Sequence, residues 1–382
     1  MTDFTEFVPE HIRKLAKSGD SRPLKQSGGS SLRSSGTDRR TGEKPELVHL
    51  NLNENPFGPS PRALEALSRV KTEIHRYPEI QADGLHEEIA AFHSVRREQV
   101  LVTAGATELL CMIARALLGP GLTAITSARS FIVYKLATQV TEGKLVEVPS
   151  RENGYDLAGI SKAIDSNTRI VFIANPNNPT GTLLTANEID AFIERLPDHV
   201  LLVLDEAYGD FAEAFAQQRG TAYSNAANYI RANKNVILLK TFSKAHGLAG
   251  LRIGYGIGPE RLVSLLAPMR VIFSVSSAAQ AAAAAALRDA EHVERAVANN
   301  TEEADILSAR LRELGFPVSQ TWANFLYCEV NQDAAVFSER LREEGIVVQP
   351  LGMWGAPSSI RVSIGTPEQN ARLLEALRNV LH

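Results

Sequence analysis

Lys244 closes the string Thr241-Phe242-Ser243-Lys244, and three other groups along the chain are of the kinds that lysine-based carbonyl chemistry requires. They are Asn175-Pro176-Asn177-Asn178-Pro179-Thr180-Gly181, Asp205-Glu206-Ala207-Tyr208, and Arg252. An amine can carry an aldehyde cofactor as a Schiff base, an acid can keep a pyridine nitrogen protonated, and further donors can hold a phenolate and a phosphate. The set predicts a pyridoxal phosphate site. Lys244 follows an apolar run at 236–239, so its stem lies among buried groups where desolvation brings the amine toward a reactive state. Asp205 follows the apolar run 200–204, which places a carboxylate at the carboxyl edge of a sheet, where ligands of open α/β folds bind.

A phosphate needs its own anchor. The apolar run 99–104 leads straight into Gly105-Ala106-Thr107, where a helical pattern begins, so backbone N–H groups and the helix dipole converge on an anion site. Gly105 allows close backbone approach, Thr241 and Ser243 add hydroxyls, and Arg252 offers a fork of donors suited to a dianion.

The elements that must position these groups are legible as alternation. Strand-like runs at 99–104, 122–126, 169–174, 200–204, 236–239 and 253–257 alternate with helical periodicity at 107–118, 186–196 and 259–266, and longer helical runs cover 277–288 and 291–314. This predicts an α/β fold with a largely parallel central sheet sandwiched by helices. After Gly315 the pattern changes to 325–330, a helix through Glu344, then 346–349, 360–364 and a closing helix from Pro367, which reads as a smaller α+β domain completed by the segment around 48–53. The expected boundaries are an arm at 1–45, a small domain at 46–75 and 290–382, and a large cofactor domain at 76–289.

Composition bounds the partners. The 382 residues are 44% hydrophobic with a formal net charge of −4, which is ordinary for a globular protein and gives no electrostatic case for nucleic acid or an anionic membrane. Cys111 and Cys328 stand in no ligand-like spacing, so neither a disulfide framework nor a metal site is expected. No apolar run has the length of a membrane span, and Asp3, Glu6 and Glu10 argue against a secretory leader, so the expected location is cytoplasmic. From Ser18 to Lys44 the chain is rich in Ser, Gly, Arg and Lys, too polar to order alone and too short for a fused winged-helix domain.

From about Asn51 onward the chain resembles the fold-type I pyridoxal-phosphate aminotransferases, and within them it is most similar to the histidinol-phosphate aminotransferase branch. The residues that carry the likeness are Asn53-Glu54-Asn55-Pro56-Phe57-Gly58-Pro59-Ser60, Arg76-Tyr77-Pro78, Gly105-Ala106-Thr107-Glu108, the strings given above, and Arg361-Val362-Ser363-Ile364-Gly365. The resemblance implies that Tyr208 and Asn178 donate to the cofactor's phenolic oxygen and that Arg252 contacts its phosphate. It implies that Phe131 stacks on the ring, where the family usually has a tyrosine or another aromatic, and that Tyr77 reaches across a subunit boundary to a neighbouring cofactor's phosphate in a homodimer. On the substrate side it implies that Arg361 clamps the α-carboxylate, with Asn178, Gln349 and Asn55 nearby. Gln349 departs from the pattern: many members of the branch have an arginine there that holds a substrate phosphate. The long polar arm departs too, since the family lead-in is shorter and more apolar.

The expected activity is transfer of an amino group from an L-amino acid to a 2-oxo acid, with Lys244 as base and Asp205 and Tyr208 assisting, and Gln349 points away from histidinol phosphate as donor. Decarboxylation, elimination or cyclisation of an amino acid on the same scaffold is the alternative, along with histidinol phosphate itself as substrate. A catalytically silent cofactor-binding sensor is the alternative outside enzymes.

Overall fold

The computed structural model describes residues 8–17, 47–224 and 226–381. Twelve strands can be followed among them: β1 (Val48–His49), β2 (Val100–Thr103), β3 (Thr123–Ser127), β4 (Lys144–Val148), β5 (Thr168–Ala174), β6 (Leu201–Asp205), β7 (Val236–Thr241), β8 (Gly254–Ile257), β9 (Phe325–Glu329), β10 (Ile346–Val347), β11 (Gln349–Pro350) and β12 (Ser359–Ser363). Strands β2 to β8 form one sheet in the order β2-β8-β7-β6-β5-β3-β4. β8 is antiparallel to both its neighbours and the other pairs are parallel, so six of the seven strands point the same way.

This direction is what gathers the site. β5, β6 and β7 are near-continuous apolar runs, as strands covered on both faces must be, and they pair in a register that sets Ala174 beside Asp205 and Asp205 beside Leu239. Their carboxyl ends therefore lie side by side. The chain order reverses between β3 and β5, the place where open α/β sheets leave a crevice above their carboxyl edge. Helices start where the sequence supplies caps: Ser60 accepts from the Ala63 amide with Pro61 following, and Thr185 and Glu188 form a capping box.

The smaller unit holds two sheets, a parallel pair β1-β10 and the antiparallel order β11-β12-β9. Its core joins Val48 and Leu50 to Phe337, Ile360 and Leu373, so the segment at 48–50 packs with this unit. One boundary shifts. The helix Pro61–Val70 packs on Ser277–Leu287, and its Ala63 enters the core of the large sheet with Ile89 and Ala279, so residues from Pro61 sit with the large unit rather than with the small one. Most of the expected arm lies outside the described residues. Within it Glu10–Lys17 is helical, and its His11 Nδ1 lies 3.0 Å from Glu142 Oε1. Cys111 and Cys328 are free. Among the described residues no helix is long and apolar enough to cross a membrane, and no cluster of metal-ligating side chains is found.

Candidate active site

A cavity of about 890 Å³ opens above the carboxyl ends of β5, β6 and β7, closed on its far side by the β11-β12 face of the smaller unit. Lys244, Asp205, Tyr208, Asn178, Thr241, Ser243, Arg252, Ala106, Thr107, Phe131, Gln349 and Arg361 all line it. Residues as far apart in sequence as Ala106 and Arg361 thus converge on one space.

Lys244 leaves the end of β7 and its Nζ donates to the Leu52 carbonyl at 2.8 Å. Burial, reinforced by the Arg361 and Arg252 guanidiniums and opposed by Glu54, brings the amine down from 10.5 to about 7. A neutral amine is thereby available near neutral pH. Asp205, at the tip of β6, is buried and pushed up to about 6 by that burial, while hydrogen bonds from the Tyr134 hydroxyl to Oδ2 at 2.9 Å and from the Ala207 amide to Oδ1 at 3.1 Å oppose the rise.

Tyr208 sits at the start of the next helix, where its oxygen accepts from Asn53 Nδ2 at 2.9 Å and from Asn178 Nδ2 at 3.3 Å. With both lone pairs engaged, the phenolic proton is the one hydrogen-bonding capacity left to Tyr208. Burial raises its pKa, so the proton stays in place at neutral pH. Arg361 donates from Nη1 to Asn178 Oδ1 at 2.6 Å and from Nη2 to the Asn51 carbonyl at 2.7 Å, leaving Nε buried without a partner. Asn178 is thus both a turn residue and the link between Tyr208 and Arg361.

At the other end of the cavity Arg252 reaches Ser243 Oγ at 3.4 Å and the Ala249 carbonyl at 2.9 Å, and Thr241 donates to Ser243 Oγ at 2.9 Å. The helix Gly105–Leu117 begins beside them without a side-chain cap, so its first-turn N–H groups have no side-chain acceptor at the N-cap, and Ala106 and Thr107 of that turn line the cavity. Gly105 has φ +79°, and a Cβ there would lie 2.7 Å from Arg252 Nη2. Only glycine leaves that corner open. Phe131 stands between β3 and the helix Ile132–Gln139 and lines the cavity edge-on to Tyr134, with 5.7 Å between ring centroids.

Two expected residues lie elsewhere. Asn55 does not face the cavity: its Nδ2 donates to the Ala245 carbonyl at 2.8 Å and its Oδ1 accepts from the Phe57 amide, so it pins the lysine turn from beneath. A substrate contact by Asn55 is therefore corrected to a structural one. Tyr77 is 82% exposed, stacked on Phe273 at 4.5 Å, and outside its own chain's cavity. Sequence reasoning missed Asn53, Tyr134 and Trp354. Tyr134 carried a signal, since it lies one helical turn after Phe131; Trp354, which lines the cavity, ends the single 3-10 turn Gly352–Trp354, too short to show a pattern.

These residues suit pyridoxal phosphate: a low-pKa amine, a buried carboxylate, a phenol with a free proton, and an uncapped helix start beside Gly105, Ser243 and Arg252. Residues 45–377 match the aminotransferase class I and II family. The chain belongs to that family. It is a pyridoxal-phosphate-dependent aminotransferase of fold type I, moving an amino group between an L-amino acid and a 2-oxo acid. It is 42% identical over 335 residues to histidinol-phosphate aminotransferase 2 of Pseudomonas fluorescens strain Pf0-1, covering 88% of this chain and 89% of the relative. It is 38% identical to the histidinol-phosphate aminotransferase of Akkermansia muciniphila, covering 98% and 99%. The crystal structure of histidinol-phosphate aminotransferase from Sinorhizobium meliloti in complex with pyridoxal-5'-phosphate superposes with a TM-score of 0.82 at 28% identity, covering 93% and 98%.

Proposed function

We propose that this aminotransferase takes its amino group from an unphosphorylated L-amino acid with an aromatic or polar side chain, and that it works as a cytoplasmic homodimer. The observation that carries the substrate reading is Gln349. It pairs in register with Arg361 across β11 and β12, and both line the cavity. A donor whose α-carboxylate meets Arg361 extends its side chain past this neutral amide. Among the described lining residues the lysine and arginine side chains are Lys244, Arg252 and Arg361, each with a place in the cofactor and carboxylate chemistry, while Glu54 and Asp333 add negative charge. A second phosphate finds no guanidinium of its own there.

When bound, pyridoxal phosphate supplies an aldehyde for the donor's amine and a ring that takes up the electrons released at Cα. The chain's own residues do the rest. Arg361 binds the donor carboxylate and fixes its orientation. Lys244, as a neutral amine, would take the proton from Cα and hold it for delivery to the cofactor's aldehyde carbon, on the far side of the shared nitrogen. Asp205 provides the counter-charge for the ring nitrogen, Tyr208 and Asn178 the donors for its phenolic oxygen, and Arg252 with Ser243 and the Gly105–Thr107 amides the phosphate grip.

The names of the relatives favour histidinol phosphate as a second reading. Charge-assisted hydrogen bonds contribute on the order of 1.5–3 kcal/mol each, so an arginine replaced by a neutral amide weakens a phosphorylated donor by roughly ten- to a hundred-fold at 1.4 kcal/mol per decade. The comparison of kcat/KM for histidinol phosphate with that for unphosphorylated amino acids decides between the readings. The parent is expected to prefer an unphosphorylated donor, and Gln349→Arg to move the ratio toward histidinol phosphate. A parent that clearly prefers histidinol phosphate overturns the proposal.

A further inference from the structure

Tyr134 has no place in the reading so far, although it is fully buried and aimed at the catalytic carboxylate. The helix Ile132–Gln139 that Phe131 opens carries it one turn on, and its ring lies parallel to Phe172 of β5, with centroids 4.8 Å apart and planes within 3°. That stack fixes the ring. The hydroxyl then has one direction to point, and it donates to Asp205 Oδ2 at 2.9 Å. We propose that Tyr134 is a positioning residue that fixes the Asp205 carboxylate through this hydrogen bond and thereby sets how firmly the enzyme grips the cofactor's ring nitrogen. The proposal rests on the role given to Asp205 above.

The surroundings of Asp205 show why one phenol matters. The ionisable groups whose charge is felt with it are Tyr134, Tyr155 and Tyr208, all buried, and the half-buried Tyr223, and desolvation raises the pKa of each, that of Tyr155 to about 12. They remain neutral phenols at any working pH. None brings positive charge to offset the desolvation of the carboxylate. Tyr155 spends its hydroxyl on Ser130 and the Ala174 amide, Tyr223 donates to the Asn175 carbonyl, and Tyr208 is held by its two amides. Apart from the Ala207 amide, Tyr134 is the group whose hydrogen bond lowers the carboxyl's proton affinity. Without it Asp205 takes up a proton at higher pH and loses an oriented oxygen.

The test compares Tyr134→Phe, which keeps the stack on Phe172, with Phe172→Leu, which loosens the stack but keeps the phenol. The dissociation constant for pyridoxal phosphate and the pH profile of kcat are measured for both, with thermal unfolding as the check on folding. For Tyr134→Phe the acid limb is expected to move up by about one pH unit, and the dissociation constant to rise about tenfold, the equilibrium counterpart of one pKa unit. Phe172→Leu is expected to lower the melting temperature and, because the phenol can still reach Asp205, to move each readout by clearly less than Tyr134→Phe does. Values for Tyr134→Phe within twofold of the parent overturn the proposal, and so does a Phe172→Leu variant that matches it, since the effect is then packing. Asp205→Ala separates this from the reading beneath it. If that variant binds the cofactor as the parent does, the role of Asp205 fails; if it binds weakly while Tyr134→Phe does not, only the role of Tyr134 fails.

Discussion

Lys244 illustrates how little machinery a single residue needs when its surroundings are arranged. Desolvation of this half-buried side chain brings its amine down to about 7, and the two guanidiniums nearby add to the effect without touching it. A protonated amine has no lone pair with which to attack an aldehyde, so the consequence has a definite sign. Stripped protein given pyridoxal phosphate is expected to attach it faster as pH rises, about tenfold per unit below 7 and level above. The measurement is the rate at which borohydride-fixable cofactor appears across pH 5.5 to 9, with ordinary lysine behaviour, rising all the way to the alkaline end, as the result against it. Arg361→Leu removes one of the neighbouring charges and should move the midpoint upward. At this scale the sequence was informative: the types and spacing of Lys244, Asp205, Tyr208 and Arg252 named the chemistry. It could not show that Asn53 and Tyr134 orient the partners of that chemistry, because neither sits in a string whose spacing implies a contact 155 or 71 residues away.

Elements explain which parts of the fold could be foreseen. β5, β6 and β7 announced themselves as unbroken apolar runs because both their faces are covered, whereas β4, an edge strand with Lys144 and Glu147 exposed, carries no such run. The helix Gly209–Arg219 was equally hard to see, since Phe211 and Phe215 are buried with Gly209, Ala212 and Ala216 around them and little periodicity survives. Positive φ is invisible in a pattern of apolar residues, yet it decides the lysine turn. Gly247, at φ +71°, presses on Gly58 so closely that an added Cβ would fall on the Gly58 carbonyl oxygen. Gly247→Ala combines a left-handed backbone with a clash that only backbone movement relieves, and it is expected to destabilise the protein by roughly 3 kcal/mol. Gly250→Ala, three residues on, meets nothing within 4 Å and should stay within about 0.5 kcal/mol of the parent. Denaturation midpoints for the pair check this, and equal effects would mean that the turn is free to adjust.

At the scale of the whole molecule, an exposed apolar face among the described residues fits the proposed homodimer. Ile74, Tyr77, Val271 and Ile272 are 61% to 82% exposed, and Tyr77 lies stacked on Phe273 among them, a concentration of large apolar side chains that scattered surface hydrophobes do not produce. A second copy of the chain on this face would cover it, and in the homodimer we propose each Tyr77 serves the other copy's phosphate site. Such sharing makes a quantitative demand. In a heterodimer of Tyr77→Ala and Lys244→Ala chains, one site unites both lesions and the other has neither. Random pairing of equal amounts makes half the dimers mixed, each with one sound site of two, so the mixture should recover about a quarter of the parent's specific activity although both homodimers are nearly inactive. Co-expression of the two chains with different tags, followed by purification through both, removes any dependence on subunit exchange and should give about half. If Tyr77 served its own chain's site, the mixed dimer would contain no sound site and activity would stay at the level of the variants alone.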